Sequence, residues 1–190
     1  MSLTTVAVLV VLFLVAAYAV TLYNALVRLK HGVSKAWSNI DVLLKQRHEE
    51  LPKLVETCKQ YMQHERTTLE QVITARNAVA SASQKGDMQA LGQAETGLRA
   101  GLGQLFALAE NYPQLKANES FQHLQQRISG LENGIADRRE LYNEAVNLNN
   151  VRIEQFPDVL IARFFAFKAA ELLQFSDAEK ADVDLKQLFS

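Results

Sequence analysis

Residues 33–79 read VSKAWSNIDVLLKQRHEELPKLVETCKQYMQHERTTLEQVITARNAV, and two rows of residues run through them at seven-residue spacing. One row is Val33, Ile40, Arg47, Leu54, Tyr61, Thr68 and Ala75; the other is Trp37, Leu44, Leu51, Cys58, Glu65, Val72 and Val79. Spacing of seven keeps side chains on one helix face, so the rows make a packing seam. Pro52 lies inside it and predicts a kink near Leu51 rather than a stop. A helix from about Val33 to Ala82 would be on the order of 75 Å long.

Toward the N-terminus the character changes. No charged side chain precedes Arg28, and Leu3–Leu22 is a 20-residue run broken only by Thr4, Thr5 and Thr21. At 1.5 Å per residue such a run crosses a hydrocarbon core of roughly 30 Å, where a helix alone satisfies the backbone. A cleaved signal peptide is the competing reading, since Ala16-Ala17-Tyr18-Ala19 imitates a cleavage site. That reading lacks a basic start, and the apolar run is long for it. Arg28, Lys30, Lys35, Lys45 and Arg47 all follow the span. The positive-inside rule then puts a short N-terminal tail outside and residues 28–190 in the cytoplasm. Only Gly32 offers a hinge between span and seam. The lone cysteine, Cys58, has no internal partner, which fits a reducing compartment.

Toward the C-terminus, Ser83–Asp87 reads as a turn with Asp87 capping a second helix, Met88–Glu110. Leu91, Leu98, Leu102, Leu105 and Ala109 form its core stripe. Ala90, Ala94, Gly97 and Gly101 form a stripe of small residues beside it, where glycine costs roughly 0.5–1 kcal/mol relative to alanine. Residues 111–117 read as a loop, with Asn118 or Ser120 capping a third helix. Its seam, Phe121, Leu124, Ile128, Leu131, Ile135, Arg138, Tyr142, Ala145 and Asn149, runs on to Phe156, where Pro157 stops it. Val159–Phe175 then holds thirteen apolar residues in seventeen. Arg163 and Lys168 make it too short and too charged to span.

The expected fold is all-α: an N-terminal transmembrane helix (1–27) continuing into an elongated antiparallel bundle of three long helices plus a shorter C-terminal helix (28–175). A polar tail (176–190) follows. No alternating β-branched run predicts a sheet. With three passes, the parity of short connections places the C-terminal helix at the tip far from the bilayer.

Several stretches together resemble the LemA family of bacterial membrane proteins. They are Tyr23–Val27, Ala36–Leu44, Arg47 with Leu51-Pro52, Leu54–Glu56, Tyr61 with His64-Glu65, and Ala75-Arg76. Glu110–Pro113 with Leu115–Ala117 follow, then Phe121, Leu124-Gln125, Arg139 with Tyr142-Asn143, and Phe156-Pro157. The match covers nearly the whole chain and is weakest after Pro157. The resemblance implies one N-terminal span in the bacterial inner membrane, a short outside tail and a helical bundle inside. It also implies association with membrane-stress systems containing a membrane metallopeptidase and, in one branch, with building organelle membranes. It implies no settled biochemical activity.

Candidate chemistry is sparse. His48-Glu49-Glu50 and His64-Glu65 hold metal-capable groups, yet neither makes the His-Glu-x-x-His pattern, and His31 and His123 have no partner within a turn. Solvated histidines are the plainer reading, and no metal or cofactor is expected. Cys58, between Leu54 and Met62 in the seam, reads as a small buried hydrophobe rather than a nucleophile. Polar residues inside the seams are more informative. Arg47, Glu65 and Arg138 stand where apolar groups are called for, so they pair, snorkel or sit at a frayed edge. The sharper expectation is a buried Glu65–Arg pair that fixes helix alignment. The small stripe Ala90, Ala94, Gly97, Gly101 packs either within the chain or against another copy.

With a net charge of −1, nothing suggests a nucleic-acid partner. The expected partners are the lipid bilayer through Leu3–Leu22, further copies of the chain and other membrane proteins. The function this points to is a non-enzymatic membrane-anchored scaffold that self-associates and docks other membrane proteins. A sensor module relaying a change along the first helix is the alternative, and an enzyme or enzyme subunit is a third class.

Overall fold

The structure is a computed structural model that describes residues 2–174; the expected polar tail lies outside them. Every regular element among these residues is a helix. They are α1 (Leu3–Lys59), α2 (Arg66–Lys85), α3 (Met88–Ala109), α4 (Pro113–Lys116), α5 (Glu119–Glu154) and α6 (Asp158–Phe164).

The apolar run and the heptad seam belong to one helix, with Gly32 and Pro52 both inside α1. Proline has no N–H, so Pro52 leaves the His48 carbonyl without its helical donor. Arg76 supplies one instead, its Nε donating to His48 O at 2.9 Å.

The chain does break where the seam predicted continuity, at residues 60–65, so the expected first helix to Ala82 is two helices. Tyr61 and Met62 turn back to donate to the Cys58 carbonyl, and Met62 becomes fully buried. No glycine or proline marks this turn. Its signature is the polar run Gln63-His64-Glu65-Arg66, which puts Glu65 at a seam position.

Two turns follow rules legible in the chain. Gly86 ends α2 in the left-handed region at φ 67°, and the N–H groups of Gly86 and Asp87 close on Ser83 O and Ala82 O. Asp87 then caps α3 through Ala90 N at 2.8 Å. Asn118 caps α5 in the same way, accepting from Phe121 N at 3.0 Å.

The chain divides into two compact units. One comprises residues 2–39 with Arg138–Leu172; the other comprises residues 40–137 with residues 173 and 174. In the second unit α2 and α3 form an antiparallel hairpin, and Ile40, Leu51, Leu54, Leu91, Leu105 and Ile128 are fully buried. Gly134 lets α5 close on α1, since a Cβ there would sit 3.3 Å from Leu43 Cδ1.

In the first unit α5 runs antiparallel to α1. The Trp37 and Tyr142 rings meet edge to face at 5.8 Å, and Ala25–Leu29 share a groove with Leu148–Gln155. In the same unit the C-terminal segment reaches Tyr23 at the end of the apolar run, where the Phe165 ring lies 4.7 Å away. This corrects the expected placement far from the bilayer.

The C-terminal helix is also shorter than expected. It ends at Phe164, and Ala166 takes a left-handed φ of 55°. Residues 167–174 are not regular structure. Asn150 holds Ala170 at both backbone groups, each at 2.9 Å, and Tyr142 Oη donates to Glu171 O at 2.8 Å. These bonds replace helical ones.

Candidate functional site

Three features stand out, each lying within one of the two units. The first is the N-terminal part of α1. Among the described residues 2–18, every side chain is exposed, with Phe13 at 72%. A helix that is apolar all round and covered by none of the described residues is ill suited to face water. By length and composition it can cross a membrane.

The second is a buried ion cluster in the second unit. Arg47 is 1% exposed, and its two terminal nitrogens donate separately to the carboxylates of Glu95 on α3 and Glu132 on α5. Arg99 lies 3.4 Å from the far oxygen of Glu132. The two carboxylates hold the Arg47 guanidinium above its ordinary value against the opposing effect of burial. Burial pushes the Glu95 carboxyl up despite Arg47, because one buried cation serves two anions. One residue therefore ties three helices.

Among the described residues Glu65 makes no ion pair with an arginine, contrary to the expected Glu65–Arg pair. Glu65 is half-exposed in the turn before α2 and accepts from Tyr112 Oη at 3.3 Å, which with burial pushes the Tyr112 phenol up. Arg138 is exposed. Asn149 is buried and donates to Asn150 Oδ1 at 3.1 Å. Glu95 and Glu132 escaped the sequence reading, although Glu95 sits between Leu91 and Leu98 in the core stripe, a position that calls for an apolar residue.

The small stripe on α3 is not uniformly packed. Gly101 faces Val72 at 3.6 Å, Ala90 and Ala94 are half-buried, and Gly97 is exposed with nothing within 4 Å of a Cβ placed there. Close backbone approach thus accounts for none of the cost of glycine at 97. Among the described residues no three His, Cys, Asp or Glu side chains group to hold a metal ion. Burial pushes the Cys58 thiol up to about 12, which makes it inert at ordinary pH.

The third feature is a cleft of about 570 Å³ in the first unit, where Tyr23, Lys30 and His31 of α1 face Phe165, Phe167 and Lys168. Beside it α6 buries Asp158 and Ala162, Asp158 pairing with Arg152 at 2.6 Å. The opposite side is apolar and uncovered: Phe156 is 78% exposed, Leu160 60% and Phe164 81%.

Among the described residues every regular element is a helix and one exposed apolar helix has membrane-spanning length, which defines the class: a membrane-associated helical protein. A family model described as LemA family matches residues 36–186. The chain belongs to the LemA family. Magnetosome proteins MamQ 1 and MamQ 2 of Paramagnetospirillum magneticum are each 34% identical over 104 residues, which is 55% of this chain and 38% of theirs. Magnetosome protein MamQ of Magnetospirillum gryphiswaldense is 24% identical over 190 aligned residues, covering 88% of this chain and 70% of its own. The chain thus spans 38% of the length of the first two of these relatives.

Proposed function

We propose that this protein is a non-enzymatic, membrane-anchored scaffold that self-associates and docks other membrane proteins. The observation that carries the reading is α1. Its apolar part offers a surface only lipid covers well, and the same helix supplies the seam on which the rest of the chain packs. The proposed topology is single-pass, with a short tail outside, residues 28–175 forming the cytoplasmic helical domain and 176–190 a polar tail. The lysines and arginines after the span support it. The proposed location is the bacterial inner membrane, and the process is membrane organisation or envelope stress. Relatives named as magnetosome proteins support the former; a membrane metallopeptidase is a proposed partner for the latter.

Self-association is proposed to use the stripe of Ala90, Ala94, Gly97 and Gly101, because the space over Gly97 admits another helix. The relay reading has one observation in its favour, the continuity of α1 through Gly32 and Pro52. The test is extraction of the tagged full chain in native nanodiscs with identification of co-extracted proteins. A scaffold brings other membrane proteins at fixed ratio, whereas discs holding no other protein overturn the docking role.

A further inference from the structure

Among the described residues nothing covers Leu160 and Phe164 on the aromatic side of α6, and its position bears on what does. Leu3–Leu22 matches the hydrocarbon thickness, so Tyr23 marks the depth at which that core ends. Phe165 and Phe167 lie 4.7 and 5.8 Å from the Tyr23 ring, and Phe164 stacks edge-on against Phe165 at 4.9 Å. The end of the apolar run therefore adjoins the aromatic segment at Tyr23. Headgroup layers add several Å on each side of the core, enough to receive a short helix lying flat.

Composition agrees with depth. Leu160 and Phe164 stand one turn apart on α6, so one face is apolar, while the buried Asp158 and Ala162 take the other. Aromatic residues favour this layer. Exposed cations lie close by: Lys30 of α1 and Lys168 line the cleft with Phe165 and Phe167, and Arg163 is on α6 itself, with Glu154 and Glu171 the exposed acids nearby in sequence. A bilayer surface rich in anionic phospholipid complements these cations.

We propose that α6 and the Phe164-Phe165 corner dock into the headgroup–acyl boundary of the bilayer that α1 crosses, with Arg163 and Lys168 on anionic phospholipid headgroups. The first unit is then held at the membrane by two contacts, a span and a surface wedge. The proposal rests on the reading that α1 spans, and the test separates the two.

The full chain, carrying Cys58→Ala, receives a single nitroxide through Phe164→Cys, Val11→Cys or Glu119→Cys. Each form is reconstituted in vesicles of phosphatidylcholine alone or mixed with phosphatidylglycerol. Relative accessibility to oxygen and to a water-soluble nickel chelate reports depth. The expected result is a ratio at position 164 several-fold above that at position 119. It should rise further with phosphatidylglycerol, and Arg163→Gln with Lys168→Gln should remove that rise. A label at 164 that reads as water while the label at 11 reads as lipid overturns the docking and leaves the span intact. Water-like signals at both positions overturn the span and the docking together. A depth at 164 indifferent to phosphatidylglycerol overturns the assignment of the two cations.

Discussion

Arg76 Nε donates to the His48 carbonyl at 2.9 Å, the one carbonyl of α1 that Pro52 deprives of its helical donor. The proline therefore does not stand alone as a helix defect; its cost is met from α2. Arg76→Met should destabilise the fold by about 1–3 kcal/mol, the range for a bond from a charged donor to a half-buried acceptor. In a Pro52→Ala background the restored N–H reaches His48 O, and the same substitution should cost markedly less. Equal costs in both backgrounds, from denaturant unfolding of the full chain in mild detergent, would refute this pairing.

Arg47 should be the costliest polar residue to remove. Arg47→Met strands the Glu95 carboxylate in the core, while Glu132 keeps Arg99, and a broken buried pair costs about 3–5 kcal/mol. Glu95→Gln leaves Arg47 with Glu132 and removes an anion that burial already disfavours, so its cost should be well under half as large. The same unfolding measurement checks the ordering, and a larger loss from Glu95→Gln would contradict the one-cation, two-anion account.

His48 carries a pH dependence of definite sign. Burial first, and the Arg76 cation second, hold its imidazole below the ordinary 6.5, with Glu49 opposing. The unfolded chain takes up the proton more readily, so the stability His48 contributes is complete above about pH 6.5 and is lost as pH falls below it. His48→Gln should flatten the stability profile between about pH 7 and pH 5 relative to the parent. Parallel profiles would remove the assignment.

Cys58 is fully buried with a thiol pushed up to about 12 from an ordinary 9.0. The thiolate fraction near neutral pH is then lower by about a thousandfold. Ellman's reagent should leave Cys58 untouched in the native protein and modify it on denaturation. Rapid native labelling would mean that the seam around it opens.

Gly97 separates folding from assembly. Among the described residues nothing lies over it, so Gly97→Ala should stabilise α3 by up to about 1 kcal/mol. Gly97→Leu should keep the fold and reduce self-association, because the added side chain fills the space proposed for another copy. Normal assembly by the leucine variant, read by cross-linking, would dismiss the contact.

Much of this architecture is written locally. The heptad rows give α1 its inner face, Asp87 and Asn118 announce the starts of α3 and α5, and Pro157 announces the end of α5. Arg47 in a seam signals a buried cation in need of carboxylates. What is not legible depends on tertiary packing. The turn at residues 60–65 contains no helix breaker, and its energy comes from burying Met62 and from the Tyr112 bond to Glu65. The contact of Phe165 with Tyr23 joins residues far apart in sequence, and a count of helices along the chain does not foresee it. Likewise the apolar run after Pro157 has helical composition, yet the Asn150 side chain binds both backbone groups of Ala170 in place of helical bonds.

The central claim, an anchored scaffold built from repeated copies, is tested most directly by counting chains in the membrane. Single-molecule photobleaching of the fluorescently tagged full chain, extracted in native nanodiscs, reads that number. The account predicts two or more bleaching steps per disc, reduced toward one by Gly97→Leu. A single step per disc for the parent protein, at any expression level, would contradict it.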